Sequence, residues 1–173
     1  MGELRLGLVG CGRLAERGYA PALARAAGVR LAAVADPVRT RCEAVGPGVP
    51  AFPSAGELLD ARAADVLVLA TPAASHLPDS RLAAAAGVPT LVEKPPAPTL
   101  QETTELAALD PPPWLALGLR TALGERFRGS PLVPSLALQL EAFARAARGE
   151  PERDLAKAVD GVRVMRTLEC VTS

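Results

Sequence analysis

The sequence has no net charge with which to attract a charged macromolecule. Its 19 acidic and 19 basic residues cancel, so there is no broad electrostatic case for binding nucleic acid or an anionic membrane. No apolar run reaches the length that crosses a bilayer, and we therefore expect no membrane partner. These absences leave a small molecule as the expected partner.

Cysteine and aromatic residues are also scarce. The three cysteines, Cys11, Cys42 and Cys170, are odd in number and lack metal-ligand spacing, and the N-terminus does not look like a signal peptide. We therefore expect no metal site and a reducing, cytoplasmic environment. Aromatic residues make up only 3% of the 173 residues, so the core should be largely aliphatic. This length favours one domain with a substantial core.

The chain opens with a strand, a glycine turn and a helix. The apolar run at residues 4–9 precedes Gly10, Cys11 and Gly12, and the helix is expected to begin near Arg13. Glycine at positions 10 and 12 lets the backbone approach a pyrophosphate, and the first N–H groups of the helix point at the phosphates. The pattern predicts a nucleotide-binding turn, and the alternative is an ordinary strand-to-helix turn.

The second apolar run, residues 29–35, ends at an acidic residue. Asp36 stands where the acidic residue of a dinucleotide-binding fingerprint falls, and its carboxylate could accept both ribose hydroxyls of an adenosine. The alternative is a helix N-cap ahead of Pro37, and the two roles are compatible. The negative charge favours NAD, whereas Arg39 and Arg41 could hold the 2′-phosphate of NADP. NAD is the expected cofactor, and NADP stays open.

Strands and helices alternate along the rest of the chain. Further strands are expected at residues 49–52, 65–70, 88–92 and 114–119. Helices are expected at residues 14–27, 39–45, after Ser54, 77–86 and 101–109. This alternation predicts an α/β fold, a doubly wound parallel sheet of the Rossmann type. Functional groups should then gather at the carboxyl ends of the strands.

Four motifs at those strand ends resemble the signature of one enzyme family. They are Gly10-Cys11-Gly12, Ala35-Asp36, Ala70-Thr71-Pro72 followed by His76, and Glu93-Lys94-Pro95. Together they look like the glucose–fructose oxidoreductase and inositol dehydrogenase family (Gfo/Idh/MocA), over residues 4–100. The resemblance implies NAD(P)-dependent hydride transfer, commonly on sugars, cyclitols or related alcohols and imines.

The resemblance also implies roles for individual residues. In such enzymes the lysine matching Lys94 lies beside the nicotinamide and the substrate, where it can hold a reacting oxygen and stabilise developing negative charge. The alternative for Lys94 is a solvated loop lysine. His76 matches the cofactor-side histidine of the family, and its spacing also allows it to cap a helix that begins near Leu77. The expected cofactor-binding residues are Gly10, Cys11, Gly12, Arg13, Leu14, Asp36, Arg41, Thr71, Pro72, His76, Glu93 and Lys94.

The sequence departs from the family pattern in its last third. Family members normally continue into a large mixed-sheet domain, for which this sequence has no room. We expect a dinucleotide-binding domain at residues 1–120 and a remnant segment at 121–173, with amphipathic helices at 136–148 and 154–171. An apolar stripe in the last helix would pack on the Rossmann core or on a partner subunit, giving a homodimer through these helices or a sheet edge. The stripe consists of Leu155, Val159, Val162, Met165 and Leu168.

The sequence contains one histidine, so the proton-transfer histidine that the family's second domain often supplies is missing. Lys94, Tyr19, a carboxylate such as Glu125, a partner subunit or the substrate itself would have to supply the proton. We therefore predict an NAD(P)-dependent oxidoreductase that acts on a small carbonyl, alcohol or imine. The alternative is a catalytically inactive nucleotide-binding or scaffolding protein derived from such an enzyme.

Overall fold

The computed structural model of the protein describes residues 2–116, 132–151 and 155–172. Within these ranges one sheet contains the strands β1 (Leu4–Val9), β2 (Val29–Ala35), β3 (Ala51–Phe52), β4 (Val66–Leu69), β5 (Thr90–Val92), β6 (Trp114–Leu115) and β7 (Ala156–Lys157). Their order across the sheet is β3-β2-β1-β4-β5-β6-β7. The first six strands run parallel in the order of a Rossmann fold, which confirms the predicted fold class.

Helices cover both faces of the sheet. The first, α1, is helical from Arg13, contains a π-helical segment, Ala15–Tyr19, and continues as an α-helix over Ala20–Leu23. The others are α2 (Arg39–Val45), α3 (Ala55–Asp60), α4 (Ala73–Ala85), α5 (Leu100–Ala107), α6 (Leu132–Ala147) and α7 (Ala158–Thr172). In the described part of the chain, no helix combines the length and the apolar character needed to span a membrane.

The start of α1 differs from the regular helix that the sequence predicted. Pro21 has no N–H, so it cannot donate the bond to Arg17 that a regular α-helix requires. The preceding turn is wider, and the N–H of Ala20 donates to the carbonyl oxygen of Ala15, five residues back.

Two apolar layers sandwich the sheet. On one face α1 and α6 pack together, with Tyr19, Leu140 and Phe143 fully buried. The ring of Trp114 meets that of Phe143 edge to face, with centroids 5.9 Å apart. On the other face α3, α4 and α5 bury residues such as Leu58. The core is largely aliphatic, as expected from the scarcity of aromatic residues.

The C-terminal segment contains a strand that the sequence analysis did not predict. A helix was expected from residue 154, which lies outside the described residues, but Ala156–Lys157 forms β7 and pairs antiparallel with β6. The pairing satisfies backbone groups that β6 would otherwise leave open at the edge of the sheet. The expectation of an all-parallel sheet is therefore wrong at this edge.

The apolar stripe predicted for the last helix is only partly correct. Val159 is 48% exposed, whereas Ala158 is buried and Gly161 faces the core. A Cβ added at Gly161 would lie 2.6 Å from Cδ1 of Leu115, so the helix sits directly against β6 at this glycine. The close approach of α7 to β6, and to α5, sets which face is buried. Val162 and Met165 are half-buried, and the side chain of Leu168 lies outside the described residues.

Candidate functional site

The strand order creates a crevice at one edge of the sheet. β1 lies between β2 and β4, and the crossovers leave it in opposite directions, which makes the carboxyl ends of β1 and β4 the usual ligand position in such sheets. A cleft of 660 Å³ opens there. The predicted site residues that line it are Gly10, Gly12, Arg13, Leu14, Asp36, Arg41, Thr71 and Pro72.

The two glycines of the first turn differ in their surroundings. Gly10 has φ +89°, and a Cβ there would lie 2.7 Å from the carbonyl carbon of Ala70, so both backbone conformation and space require glycine. A Cβ at Gly12 would have no atom within 4 Å. Gly12 therefore faces the open cleft, where a pyrophosphate could approach the backbone at the start of α1.

Asp36 holds the glycine turn to the end of β2. Its side chain is 8% exposed, Oδ2 accepts a hydrogen bond from the Cys11 N–H at 2.9 Å, and Oδ1 accepts one from the Val38 N–H at 2.8 Å. Arg41 Nη1 lies 4.0 Å from Oδ1. Asp36 is not the N-cap of α2, because Val38 occupies that position. Since a carboxylate offers about four lone-pair sites, two acceptor positions are left for ribose hydroxyls.

Thr71 lines the cleft and carries a buried polar atom. It follows β4, and its Oγ1 has no hydrogen-bond partner within the described part of the chain. A buried hydroxyl without a partner is costly, and a ligand in the cleft would relieve that cost. Together with the open face of Gly12 and the free acceptor positions of Asp36, it gives the cleft the donor and acceptor set that a dinucleotide requires.

His76 lies behind the cleft wall and not at its surface. The helix α4 begins at Ala73, four residues earlier than expected, so His76 lies within its first turns and does not cap it. The ring is 1% exposed, with Nε2 2.9 Å from the carbonyl oxygen of Thr71 and Nδ1 3.0 Å from that of Pro95. His76 thus joins the loop after β4 to the loop after β5.

Glu93 and Tyr19 form a buried pair at the end of β5. Tyr19 Oη donates to Glu93 Oε1 at 2.6 Å, and the Lys94 N–H donates to Glu93 Oε2 at 3.0 Å. Burial first, and then the adjacent Glu93, raise the pKa of Tyr19 well above its usual value. Tyr19 is fully buried, so the suggestion that it supplies the substrate proton is wrong. Glu125, the suggested carboxylate, lies outside the described residues.

Lys94 follows Glu93 and lines a second cavity. Its side chain is 63% exposed, and Nζ lies 3.7 Å from Glu93 Oε2. The second cavity, of 430 Å³, is lined by Lys94 and Pro95 on one side and by residues of β6 and α7 on the other. Lys94 therefore faces a space beside the nucleotide cleft, at the same edge of the sheet.

The side chain of Cys11, an expected cofactor-binding residue, packs in the interior and does not line the cleft. Cys11 is 3% exposed, and its Sγ lies 3.9 Å from Sγ of Cys42. Burial, followed by the neighbouring Cys42, raises the pKa of the Cys11 thiol to about 12, so the thiol stays protonated and unreactive at neutral pH. In the described residues, no group of three or more potential metal ligands comes together.

Two polar residues of the cleft were missed. Ser75 and Asp79 both line it, one helical turn apart on α4. Burial raises the pKa of Asp79 to about 6. Their spacing after Thr71-Pro72 could have placed them on one face, but the sequence analysis began this helix near Leu77, which put Ser75 outside it.

Comparison with known proteins identifies the family. Residues 4–110 match the family model described as the oxidoreductase family with an NAD-binding Rossmann fold, GFO_IDH_MocA. The chain belongs to this Gfo/Idh/MocA family. The match confirms the resemblance, and it confirms NAD as the cofactor for which this Rossmann domain is built.

Curated family members align with this chain over part of their length. The rhizopine catabolism protein MocA of Rhizobium meliloti is 37% identical over 108 residues, covering 62% of this chain and 34% of the relative. Inositol 2-dehydrogenase of Leifsonia xyli subsp. xyli is 30% identical over 131 residues, covering 73% and 39%. The chain thus spans little more than a third of the length of these relatives.

Solved Gfo/Idh/MocA structures share the fold. The WlbA dehydrogenase from Chromobacterium violaceum, solved with NADH and UDP-GlcNAcA, superposes with a TM-score of 0.64 at 27% identity, covering 70% of this chain and 37% of that one. An oxidoreductase from Agrobacterium radiobacter, solved with NAD+, L-tartaric acid and magnesium, gives 0.60 at 26% identity, covering 69% and 36%.

Proposed function

We propose that this member of the family is an NAD-dependent oxidoreductase that transfers hydride between the nicotinamide and a small carbonyl, alcohol or imine. One juxtaposition carries the proposal. The nucleotide cleft and the cavity that Lys94 faces open at the same edge of the sheet, and His76 ties their loops together.

The residues of the cleft would hold the dinucleotide by three kinds of contact. The backbone at Gly12 and the start of α1 would receive the pyrophosphate, Asp36 the adenosine ribose, and Thr71 Oγ1 a further polar group. When bound, the reduced dinucleotide supplies a hydride. This contact would also give Thr71 Oγ1 the hydrogen-bond partner that it lacks in the described part of the chain.

Lys94 would act on the substrate oxygen. In the reducing direction the carbonyl carbon gains a hydride and its oxygen gains a proton, which yields an alcohol. The Lys94 ammonium would donate a hydrogen bond to that oxygen, stabilise the charge that develops on it, and release the proton. The ion pair between Lys94 Nζ and Glu93 Oε2, 3.7 Å apart, keeps the ammonium near the end of β5.

The surroundings of Asp36 support NAD as the preferred form. Asp36 is buried and takes part in the turn, so a 2′-phosphate would meet its negative charge. Arg39 is engaged by Glu43, with Nε 3.2 Å from Oε1, and Arg41 lies 4.0 Å from Asp36 itself. A homodimer and a cytoplasmic location stay predictions from the sequence.

Calorimetric titration with NADH and NADPH tests the proposal. We expect saturable NADH binding, weaker NADPH binding, and an NADH affinity at least about tenfold lower in Asp36→Ala. Glu43→Ala, at an exposed acidic residue of the neighbouring helix, is the matched control and should bind NADH like the wild type. A folded wild type that binds neither nucleotide would refute the oxidoreductase. NADH binding without turnover of any carbonyl, imine or alcohol would instead indicate the catalytically inactive alternative.

A further inference from the structure

The cavity beside Lys94 owes one wall to the C-terminal segment. Helix α7 contributes Asp160, Gly161, Val164 and Met165 to its lining. The helix is held against β6 at Gly161, where a side chain would meet Leu115 at 2.6 Å. The pairing of β7 with β6 fixes the start of the helix. The wall is thus part of the packed fold.

The lining is almost entirely carbon. Pro95, Pro96, Leu115 and Ala116 form the floor opposite α7, together with the end of β5. The volume of 430 Å³ falls within the range of about 300–1,000 Å³ that is typical of small-molecule sites. A molecule seated here would gain affinity chiefly by removing apolar surface from water.

The two carboxylates that line the cavity, Glu93 and Asp160, each already accept two hydrogen bonds. Glu93 accepts from Tyr19 at 2.6 Å and from the Lys94 N–H at 3.0 Å. Asp160 accepts from the Lys157 N–H at 3.0 Å and from Arg163 at 3.2 Å. Among the charged side chains described in the lining, Lys94 is the one that carries hydrogen-bond donors. The described lining therefore offers one cationic donor in a largely apolar enclosure.

We propose that this cavity is a binding site for apolar ketones and the corresponding alcohols, molecules with a hydrocarbon body and one oxygen directed at Lys94. A polyol would bury several hydroxyls against carbon, and each hydroxyl without a partner costs affinity. A single oxygen matches the single cation. This inference rests on the proposed function for its chemistry, but the binding step needs no dinucleotide and is tested without it.

Methionine NMR provides a direct test, because the sequence contains two methionines, Met1 and Met165. With 13C-labelled methionine methyl groups, 4-phenyl-2-butanone titrated into the full chain should shift the Met165 signal saturably, with a Kd of about 1 mM or lower. The Met1 signal should not move. myo-Inositol at the same concentrations should leave both signals in place.

Two valines of α7 give a matched pair of variants. Val164 lines the cavity and is 60% exposed, whereas Val159 is 48% exposed and is not part of the lining. Because both side chains reach solvent, aspartate at either position should leave the fold intact. Val164→Asp should weaken 4-phenyl-2-butanone binding at least about tenfold, and Val159→Asp should bind like the wild type.

Three results of these titrations would contradict an apolar ketone site beside Lys94. A Met165 shift caused by myo-inositol and not by the ketone, no shift with either compound, or equal ketone affinity in both valine variants would overturn it. The wild-type titration decides the matter even where a variant fails to fold. If the folded wild type does not bind NADH, the proposed function is refuted. If it binds NADH but the Met165 signal does not respond to 4-phenyl-2-butanone, only the apolar site is refuted.

Discussion

The cleft at the ends of β1 and β4 exposes far more polar surface than the cavity beneath α7, which is lined mainly by carbon, with Glu93, Lys94 and Asp160 as its charged residues. The first has its turn fixed by Asp36 and glycine at the two positions where the chain must bend or stay open. The cavity beneath α7 takes its shape from packing between segments far apart in the chain, such as β6 at Leu115 and α7 at Gly161. Binding in the nucleotide cleft should thus depend on individual hydrogen-bonding groups, whereas binding in the cavity beneath α7 should depend on the shape and apolar character of the ligand.

The largest effect is expected where the two regions meet. Lys94→Ala should lower kcat by about 100-fold while changing NADH affinity little, because the lysine faces the substrate cavity and not the nucleotide cleft. Lys157, the other lysine of the chain, is exposed on β7 and gives the control Lys157→Ala. Steady-state kinetics and NADH titration separate the two readouts. A parallel loss of kcat and NADH affinity would contradict the division between the regions.

A second substitution tests whether the hydrogen bond between Tyr19 and Glu93 stabilises the fold without contributing to NADH binding. Tyr19→Phe keeps the ring but removes the buried donor to Glu93 Oε1. We expect it to lower the free energy of unfolding by about 2 kcal/mol, measured by urea titration, since a buried carboxylate loses a hydrogen bond. NADH affinity should stay within a few-fold of the wild type. A variant as stable as the wild type would show that Glu93 finds another donor.

Paired substitutions in the glycine turn sharpen the polar side of the comparison. Gly12→Ala should fold normally, because no atom lies within 4 Å of the added Cβ, and yet raise the Kd for NADH by about tenfold by filling the approach of the pyrophosphate. Gly10→Ala should instead lower the thermal midpoint, because its φ of +89° and the contact with Ala70 forbid a side chain. Equal NADH affinity in Gly12→Ala and the wild type would mean that the pyrophosphate lies elsewhere.

The smallest effect concerns a titration in the nucleotide cleft. Burial raises the pKa of Asp79 to about 6, so the folded state binds its proton more tightly than the unfolded state, and wild-type stability falls as pH rises from about 4 to about 6. At pH 7, Asp79→Asn should be more stable by about 1 kcal/mol, a value reduced for its partial exposure. The advantage should vanish below about pH 4, as urea unfolding at both pH values would show. A difference independent of pH would contradict this origin.

Local chemistry explains why the polar region was largely predictable. The apolar runs of β1, β2 and β4 predicted a parallel sheet, and the glycines and Asp36 follow those runs directly. The carboxyl ends of parallel strands share one edge, so the sequence order sufficed to bring these residues together.

The remaining features depend on contacts between distant segments. The strand β7 is two residues long and exists only because β6 offers it an edge. The buried face of α7 is set by the approach of Gly161 to Leu115 and not by the apolar period of the helix, which selected Val159 instead. Tyr19 and Glu93 are 74 positions apart. No local pattern of residues could have paired them.

The short strands at the two rims of the sheet bear on how copies of the chain can associate. β3 and β7 are each two residues long, and Lys157 on β7 is exposed to solvent. A rim this short, with a solvated cation on it, gives an incoming strand few main-chain partners and makes stacking of sheets into fibrils unfavourable. We therefore expect helical surfaces, rather than a sheet edge, to form any contact between copies of the chain. At high protein concentration, we expect the folded chain to resist forming aggregates rich in intermolecular β-structure.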